Sequence, residues 1–322
     1  MFWALFLFHF RVNVMNNELK IGLALGSGSS RGWAHIGIIN ELAKLGITPD
    51  VVCGTSVGSM VGAAYVMGNL EKLEAWACSL TKFDVAKFLD INTSMTGFVH
   101  TERFHDFLNE NIASDEDVIE DLSKVYAAVS TDLETGREIW LTQGSIIQAV
   151  WASMALPGLF PAIRNNNKWL MDGGLVNPVP VSVCRALGAD IVIAVNLNGD
   201  IVGKHFEKSA TKKTEAEEND NGSIGEKISE LVKEYTNLSF LDGDEDEEQP
   251  PGLLNAIAAS VNITQDRITR SRMAGDPPDI VFSPKLSDIG LLELYRADEA
   301  IKEGRECIQR MIPEIEYVLG KM

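Results

Sequence analysis

The sequence predicts an α/β fold in which a mainly parallel central sheet carries helices on both faces. Three observations carry that prediction. Short apolar runs alternate with longer runs of helical periodicity from residue 20 onward, the β-α-β-α rhythm of parallel strands covered by helices. Two of the early strand-to-helix junctions are rich in glycine and serine. The chain has 322 residues, 45% of them hydrophobic and 23% charged, which is enough for one large domain or two modest ones.

Lys20 to Leu25 is the first strand. Gly26-Ser27-Gly28-Ser29-Ser30-Arg31-Gly32 turns the chain into a helix over Trp33–Leu45, with Ile36, Ile39, Leu42 and Ala43 on one face and Gly46 as its stop. Ile47 to Cys53 is a short apolar run that ends abruptly, as a buried strand does, and Val57–Met67 is a small-residue helix ending at Gly68. Residues 69–120 read as mostly helical. Val125–Leu133 and Arg137–Thr142, joined by Glu134-Thr135-Gly136, form a hairpin. A helix over Ser145–Met154 stops near Pro157, Lys168–Met171 is a short strand, Val181–Leu187 a helix and Asp190–Leu197 a strongly apolar strand. Leu253–Met273 is a helix, Asp279–Phe282 a strand, and Leu292–Met311 closes the chain as one or two helices.

Charge divides the chain unevenly. The net charge is −18, which argues against nucleic acid as a partner. Residues 200–252 hold fifteen acids and six bases, half of that net charge, in a stretch poor in aromatics. The expected organisation is an N-terminal extension 1–18, a catalytic core 19–202, an acidic, disordered insert 203–252 with a transient helix near Ile224–Leu238, and a segment 253–322 that completes the same domain. The start, Met1 to Arg11, is apolar but too short to span a bilayer, and it lacks the leading positive charge and cleavage site of a signal peptide. Two readings stand for it: translation begins further on, near Met15, or the segment touches a membrane. Cys53, Cys78, Cys184 and Cys307 show no paired spacing, so neither a disulfide framework nor a zinc site is expected. A reducing, cytoplasmic compartment follows, with peripheral membrane contact as the functional addition.

The segment Gly54-Thr55-Ser56-Val57-Gly58 sits where a strand gives way to a helix. A Ser there must take a strained backbone conformation, and flanking glycines remove the Cβ clashes. The strain projects the hydroxyl above the sheet, and the helix N-terminus favours negative charge developing nearby. A Ser nucleophile needs a base. After Asp172 only His205 remains, at the edge of the acidic stretch, so a Ser–Asp–His order is poorly served. Asp172, closing a short strand and followed by Gly173 and Gly174, is the best carboxylate, although an ordinary Asp-Gly turn reads the same way. The amides of the Gly26–Gly32 loop are the expected oxyanion donors. That loop lacks the third glycine of a dinucleotide fingerprint, and no Gly-Lys-Ser/Thr is present for a P-loop. His35, His100 and His105 read as packing or surface residues without metal-ligand spacing. Trp151, Met154, Leu156, Leu159 and Phe160 read either as core or as the lining of an acyl pocket.

Three ordered blocks, the glycine-rich loop with Arg31-Gly32, then Gly54-Thr55-Ser56-Val57-Gly58, then Asp172-Gly173-Gly174, resemble the patatin-like phospholipase family. Trp33-Ala34-His35-Ile36-Gly37 and Ala152 to Phe160 extend the resemblance, which is nearest to its bacterial RssA-type members beside the neuropathy-target-esterase group. It covers residues 19–200 closely and 253–312 loosely. The resemblance implies a three-layer patatin-like fold and a Ser–Asp dyad without His: Ser56 as nucleophile, Asp172 as base, amides around Gly28 and Ser29 as the oxyanion hole, and Arg31 bracing that loop. It implies hydrolysis of acyl esters of phospholipids or lysophospholipids through an acyl-enzyme, with no metal or organic cofactor. Acyl transfer to another alcohol, and a lipid-sensing protein without turnover, are the alternatives. Ser27 and Ser29 stand where the family usually has consecutive glycines.

Overall fold

A computed structural model describes residues 19–88, 101–157, 159–200 and 253–320 of the chain. The strands are β1 (Ile21–Leu25), β2 (Val51–Thr55), β3 (Val125–Asp132), β4 (Glu138–Leu141), β5 (Ile163–Asn165), β6 (Lys168–Asp172), β7 (Ile191–Val195) and β8 (Ile280–Phe282). The helices are α1 (Ala34–Lys44), α2 (Val57–Val66), α3 (Leu70–Ser79), α4 (Lys82–Phe88), α5 (Thr101–Asn111), α6 (Ile146–Met154), α7 (Val181–Ala186), α8 (Leu253–Gly275) and α9 (Ala297–Leu319). The expected extension, acidic insert and helix near 224–238 lie outside the described residues.

All eight strands join one sheet, with neighbours in the order β5-β6-β3-β2-β1-β7-β8 and β4 paired to β3. The five strands from β3 to β8 in that order run parallel, and the pairs of β3 with β4, β3 with β6 and β5 with β6 are antiparallel. Successive side chains of the parallel strands alternate between two cores, as the two-residue strand period requires. Leu23, Leu25, Val52, Tyr126, Ile193 and Val195 face a large core shared with α1, α2, α3, α5, α6 and α9. Ala24, Val51, Cys53, Ala127, Val129, Val192 and Ala194 face a smaller one closed by Val181, Val183 and Cys184 of α7. Burying each Val, Leu or Ile side chain among them stabilises the fold by roughly 1.5–3 kcal/mol.

The register of β3 decides where the ends of the other strands meet. Val129 pairs with Thr55 of β2 and with Trp140 of β4, so those two strands lie on opposite edges of β3. Ser130 pairs with Ile139 of β4 and with Asp172 of β6. β6 therefore occupies the same edge as β2, immediately past its end. That arrangement brings the end of β6 to the end of β2.

Three boundaries differ from the sequence expectation. The run from Ile47 enters the sheet only at Val51, because the Ile47 amide closes onto the Leu42 carbonyl of α1 and the Asp50 carboxylate takes the Ile21 amide. The hairpin of β5 and β6 was not anticipated; it turns on Asn166 and Asn167, both at positive φ (46° and 64°), as a two-residue turn of right-twisted strands demands. The closing helix continues through Pro313 to Leu319 instead of stopping at Met311. Ile308 and Ile315, both buried, hold its apolar face to the core on either side of the proline.

Candidate active site

Ser56 stands between β2 and α2 with φ 56° and ψ −127°. Its glycine neighbours are required by space. A Cβ at Gly54 would run into the Gly58 carbonyl, and one at Gly58 into the Leu25 carbonyl of β1. The junction can thus pass close beneath β1 while the Ser56 side chain stays above it. The Ser56 amide donates to Ser153 Oγ at 2.9 Å, and that hydroxyl donates to the Val129 carbonyl at 2.6 Å. Ser153 is fully buried on α6 and so fixes the turn to both helix and strand.

Ser56 Oγ donates to Asp172 Oδ2 at 2.6 Å. Asp172 Oδ1 accepts the Gly174 amide at 2.7 Å, and the Asp172 main chain is pinned by its amide to the Ala155 carbonyl at 3.0 Å and by Thr131 Oγ1 to its own carbonyl at 2.8 Å. The two segments are tied a second time where Thr55 Oγ1 donates to the Asn177 carbonyl at 2.8 Å. Asp172 is buried, and burial lifts its pKa to about 6, against the opposing pull of the hydrogen bonds from Ser56 and Gly174. A hydroxyl that donates to a buried, proton-hungry carboxylate is set up to pass its proton that way.

The Gly26–Gly32 loop passes over the same end of the sheet. The Gly26 amide donates to the Val195 carbonyl and the Ser27 amide to the Pro178 carbonyl, whereas no acceptor among the described residues takes the amides of Gly28 or Ser29. Ser29 holds φ 51°, a region that disfavours side chains, and its hydroxyl donates to the Leu291 carbonyl at 2.5 Å. Ser27 Oγ donates to Gln265 Oε1 of α8 at 3.0 Å. Both serines that stand for glycine thus have polar partners that hold the loop. Arg31 Nε donates to the Ile289 carbonyl at 2.8 Å, anchoring the loop to the segment before α9. Burial brings its pKa down to about 10, with Glu293 and Asp288 pulling upward.

His35 takes no part in this pair. Its Nε2 donates to the Gly26 carbonyl at 2.8 Å, and complete burial lowers its pKa to about 4. His105 pairs with Asp115 at 2.8 Å on α5. Cys53 and Cys184 are free, buried neighbours in the smaller core, and burial first, then Cys184, pushes the Cys53 thiol up. Of the apolar set, Trp151, Met154 and Phe160 pack on the large core, Trp151 edge-on to Phe104 at 5.5 Å and Phe160 4.6 Å from it. Sequence reasoning missed Ser153, Asn177 and Gln265. Ser153 is the one polar residue among the buried positions of α6, whereas Gln265 lies among the buried polar side chains Asn262, Asp266 and Thr269 of α8 and is not singled out by the sequence.

Comparison of the sequence with known families defines the class of protein, a lipid-ester hydrolase. A profile described as patatin-like phospholipase matches residues 23–185, and the chain belongs to that family. It is 28% identical over 345 residues to an uncharacterised NTE family protein of Mycobacterium tuberculosis, with 92% of each chain covered. It is also 28% identical over 311 residues to lysophospholipase NTE1 of Pyricularia oryzae, covering 92% of this chain and 19% of that one. The patatin-like phospholipase domain-containing protein 7 of Rattus norvegicus is 34% identical over 184 residues, 55% of this chain and 13% of its own. Among the described residues no helix is long and apolar enough to cross a membrane.

Proposed function

We propose that this chain hydrolyses the acyl esters of phospholipids or lysophospholipids with a Ser–Asp dyad, Ser56 and Asp172, through an acyl-enzyme. The observation that carries the reading is the 2.6 Å bond from the Ser56 hydroxyl to the buried Asp172 carboxylate, made by a serine at positive φ. Ser56 Oγ attacks the ester carbonyl as its proton moves to Asp172. The carbonyl oxygen becomes an oxyanion, held by the free amides of Gly28 and Ser29. The tetrahedral adduct collapses, the C–O bond to the lipid alcohol breaks, and that alcohol leaves with the proton from Asp172. Water then attacks the acyl-Ser56 carbonyl and gives a proton to Asp172; the C–O bond to Ser56 breaks, Asp172 passes that proton to Ser56 Oγ, and the fatty acid departs.

The name of the fungal relative, a lysophospholipase, supports lysophospholipids among the substrates. No step needs a metal or an organic cofactor. Water is the second substrate. A fluorophosphonate probe tests the reading: it should label the native protein and not Ser56→Ala, and ester hydrolysis should vanish in both Ser56→Ala and Asp172→Asn. Labelling that survives in Ser56→Ala, or full turnover in Asp172→Asn, overturns it.

A further inference from the structure

β3 outruns β2 by three residues, and the hairpin of β5 and β6 is built on that overhang. The hairpin therefore stands past the end of β2 that carries Ser56. Its surface has an unusual composition for this chain. Residues 155–171 contain no Asp or Glu and two cations, Arg164 and Lys168, in a protein of net charge −18. Trp169 is 43% exposed and Leu133, whose amide donates to the Trp169 carbonyl, is 50% exposed. Arg164 is the register partner of Trp169, and its guanidinium lies 6.0 Å from that ring. Cross-strand partners share a face, so Leu133, Trp169 and Arg164 form one row. The Lys168 side chain, half exposed, sits beside the turn with its ammonium 3.3 Å from Asp132.

We propose that this hairpin, with Leu133 beside it, is the surface by which the protein docks on a bilayer containing anionic phospholipid. An indole ring with a guanidinium beside it on one face, and an ammonium at the adjoining turn, matches the lipid–water interface, where Trp seats at headgroup depth while cationic side chains reach the phosphates. Each cation held near an anionic membrane surface strengthens binding about fivefold. The geometry serves the reaction proposed above, on which the inference rests: β6 leads from Lys168 at the tip to Asp172 in four residues, about 13 Å. Docking there holds the Ser56–Asp172 end of the sheet next to the lipid surface. A protein partner has no comparable argument, because the row is short and the chemistry is that of headgroups.

The test uses the full chain and sedimentation with vesicles of phosphatidylglycerol and phosphatidylcholine, with pure phosphatidylcholine as the contrast. Binding should require phosphatidylglycerol and weaken with salt. Trp169→Ala and the double variant Arg164→Gln/Lys168→Gln should each bind about tenfold more weakly or worse, Trp169→Phe should recover part of the loss, and all three should hydrolyse a soluble short-chain ester at the native rate. Should Trp169→Ala or the double variant fail to fold, Arg164→Gln alone, which alters one exposed side chain, still decides. Native binding in either the alanine or the charge variant, or a native protein that ignores the anionic vesicles, overturns the proposal. A concentration-dependent dimer that the variants dissociate assigns the face to a second copy and also overturns it. Loss of ester hydrolysis alone, with vesicle binding intact, sinks the catalytic reading and leaves the docking surface standing.

Discussion

Asp172 is held between opposing forces, and they set both a stability and an activity profile. Burial favours its neutral form and raises the pKa from 3.8 to about 6. The folded chain thus binds this proton more tightly than the unfolded one. Its contribution to stability is fully present below pH 3.8 and is lost as pH rises through 6. At neutral pH the buried carboxylate therefore destabilises the fold by roughly 3 kcal/mol, the equivalent of the shift. Asp172→Asn, which keeps the shape without the charge, should melt higher than the native protein at pH 7.5, and the advantage should shrink below pH 5; melting curves across that range check it. The proposed base works only as the carboxylate, so kcat/KM for a soluble ester should fall on the acid side of pH 6. A profile flat down to pH 4.5 would remove Asp172 as the base. Ser56 and Asp172 were legible in the sequence because each sits in a glycine frame at the end of an apolar run. Ser153 and Asn177 were not, because their partners come from distant segments: the Ser153 hydroxyl holds the Ser56 amide and the Val129 carbonyl, and the Asn177 carbonyl takes the Thr55 hydroxyl.

The elements that frame the site divide in the same way. The β2–α2 junction was readable because close packing on β1 leaves room only for glycine. Gly58→Ala should therefore destabilise the chain by about 3 kcal/mol, read as a lower denaturant midpoint. A variant with the native midpoint would show that the junction has slack. α8 was readable as a helix but its role was not. Gln265, buried on α8, accepts from Ser27 Oγ at 3.0 Å and from Asn198 Nδ2 at 3.1 Å, and its Nε2 packs against Gly174. One side chain from outside the family profile thus touches the loop of Gly28 and the turn after Asp172. Gln265→Ala takes the acceptor from the buried Ser27 hydroxyl and leaves Asn198 Nδ2 only the long contact to the Ser27 carbonyl, and should destabilise by about 1–3 kcal/mol. If the side chain positions the loop, kcat on a soluble ester also falls while KM holds. An unchanged kcat in the folded fraction would limit Gln265 to bracing the fold. The hairpin of β5 and β6 escaped the sequence reading because its first strand is three residues long, and only the Asn-Asn turn announces it.

At the scale of the molecule, alternation predicted the sheet and its mainly parallel sense, but not the neighbour order. β1 sits between β2 and β7 because the chain crosses back over the sheet after α7, a choice made by which faces the helices must cover. The same topology bears on residues 203–252. β7 ends at Val195 on one side of this stretch and α8 begins at Leu253 on the other, so both flanks belong to the sheet and its covering layer. Asn198 bonds Gln265, twelve residues along α8 from Leu253, so the break to be bridged is about 18 Å at 1.5 Å per residue. Removing residues 206–249 leaves 201–205 and 250–252, eight residues that reach about 28 Å when extended. The shortened chain can close that distance without moving α8. A shorter loop also lowers the closure entropy, by roughly 1.7 kcal/mol for this more than sixfold reduction in length. The deletion should therefore fold, melt at or slightly above the native temperature, and hydrolyse a soluble ester at the native rate. Thermal melting and a chromogenic ester assay on the purified deletion decide it: a melting temperature many degrees lower would make the acidic segment part of the fold, and native melting with lost turnover would make it part of the site.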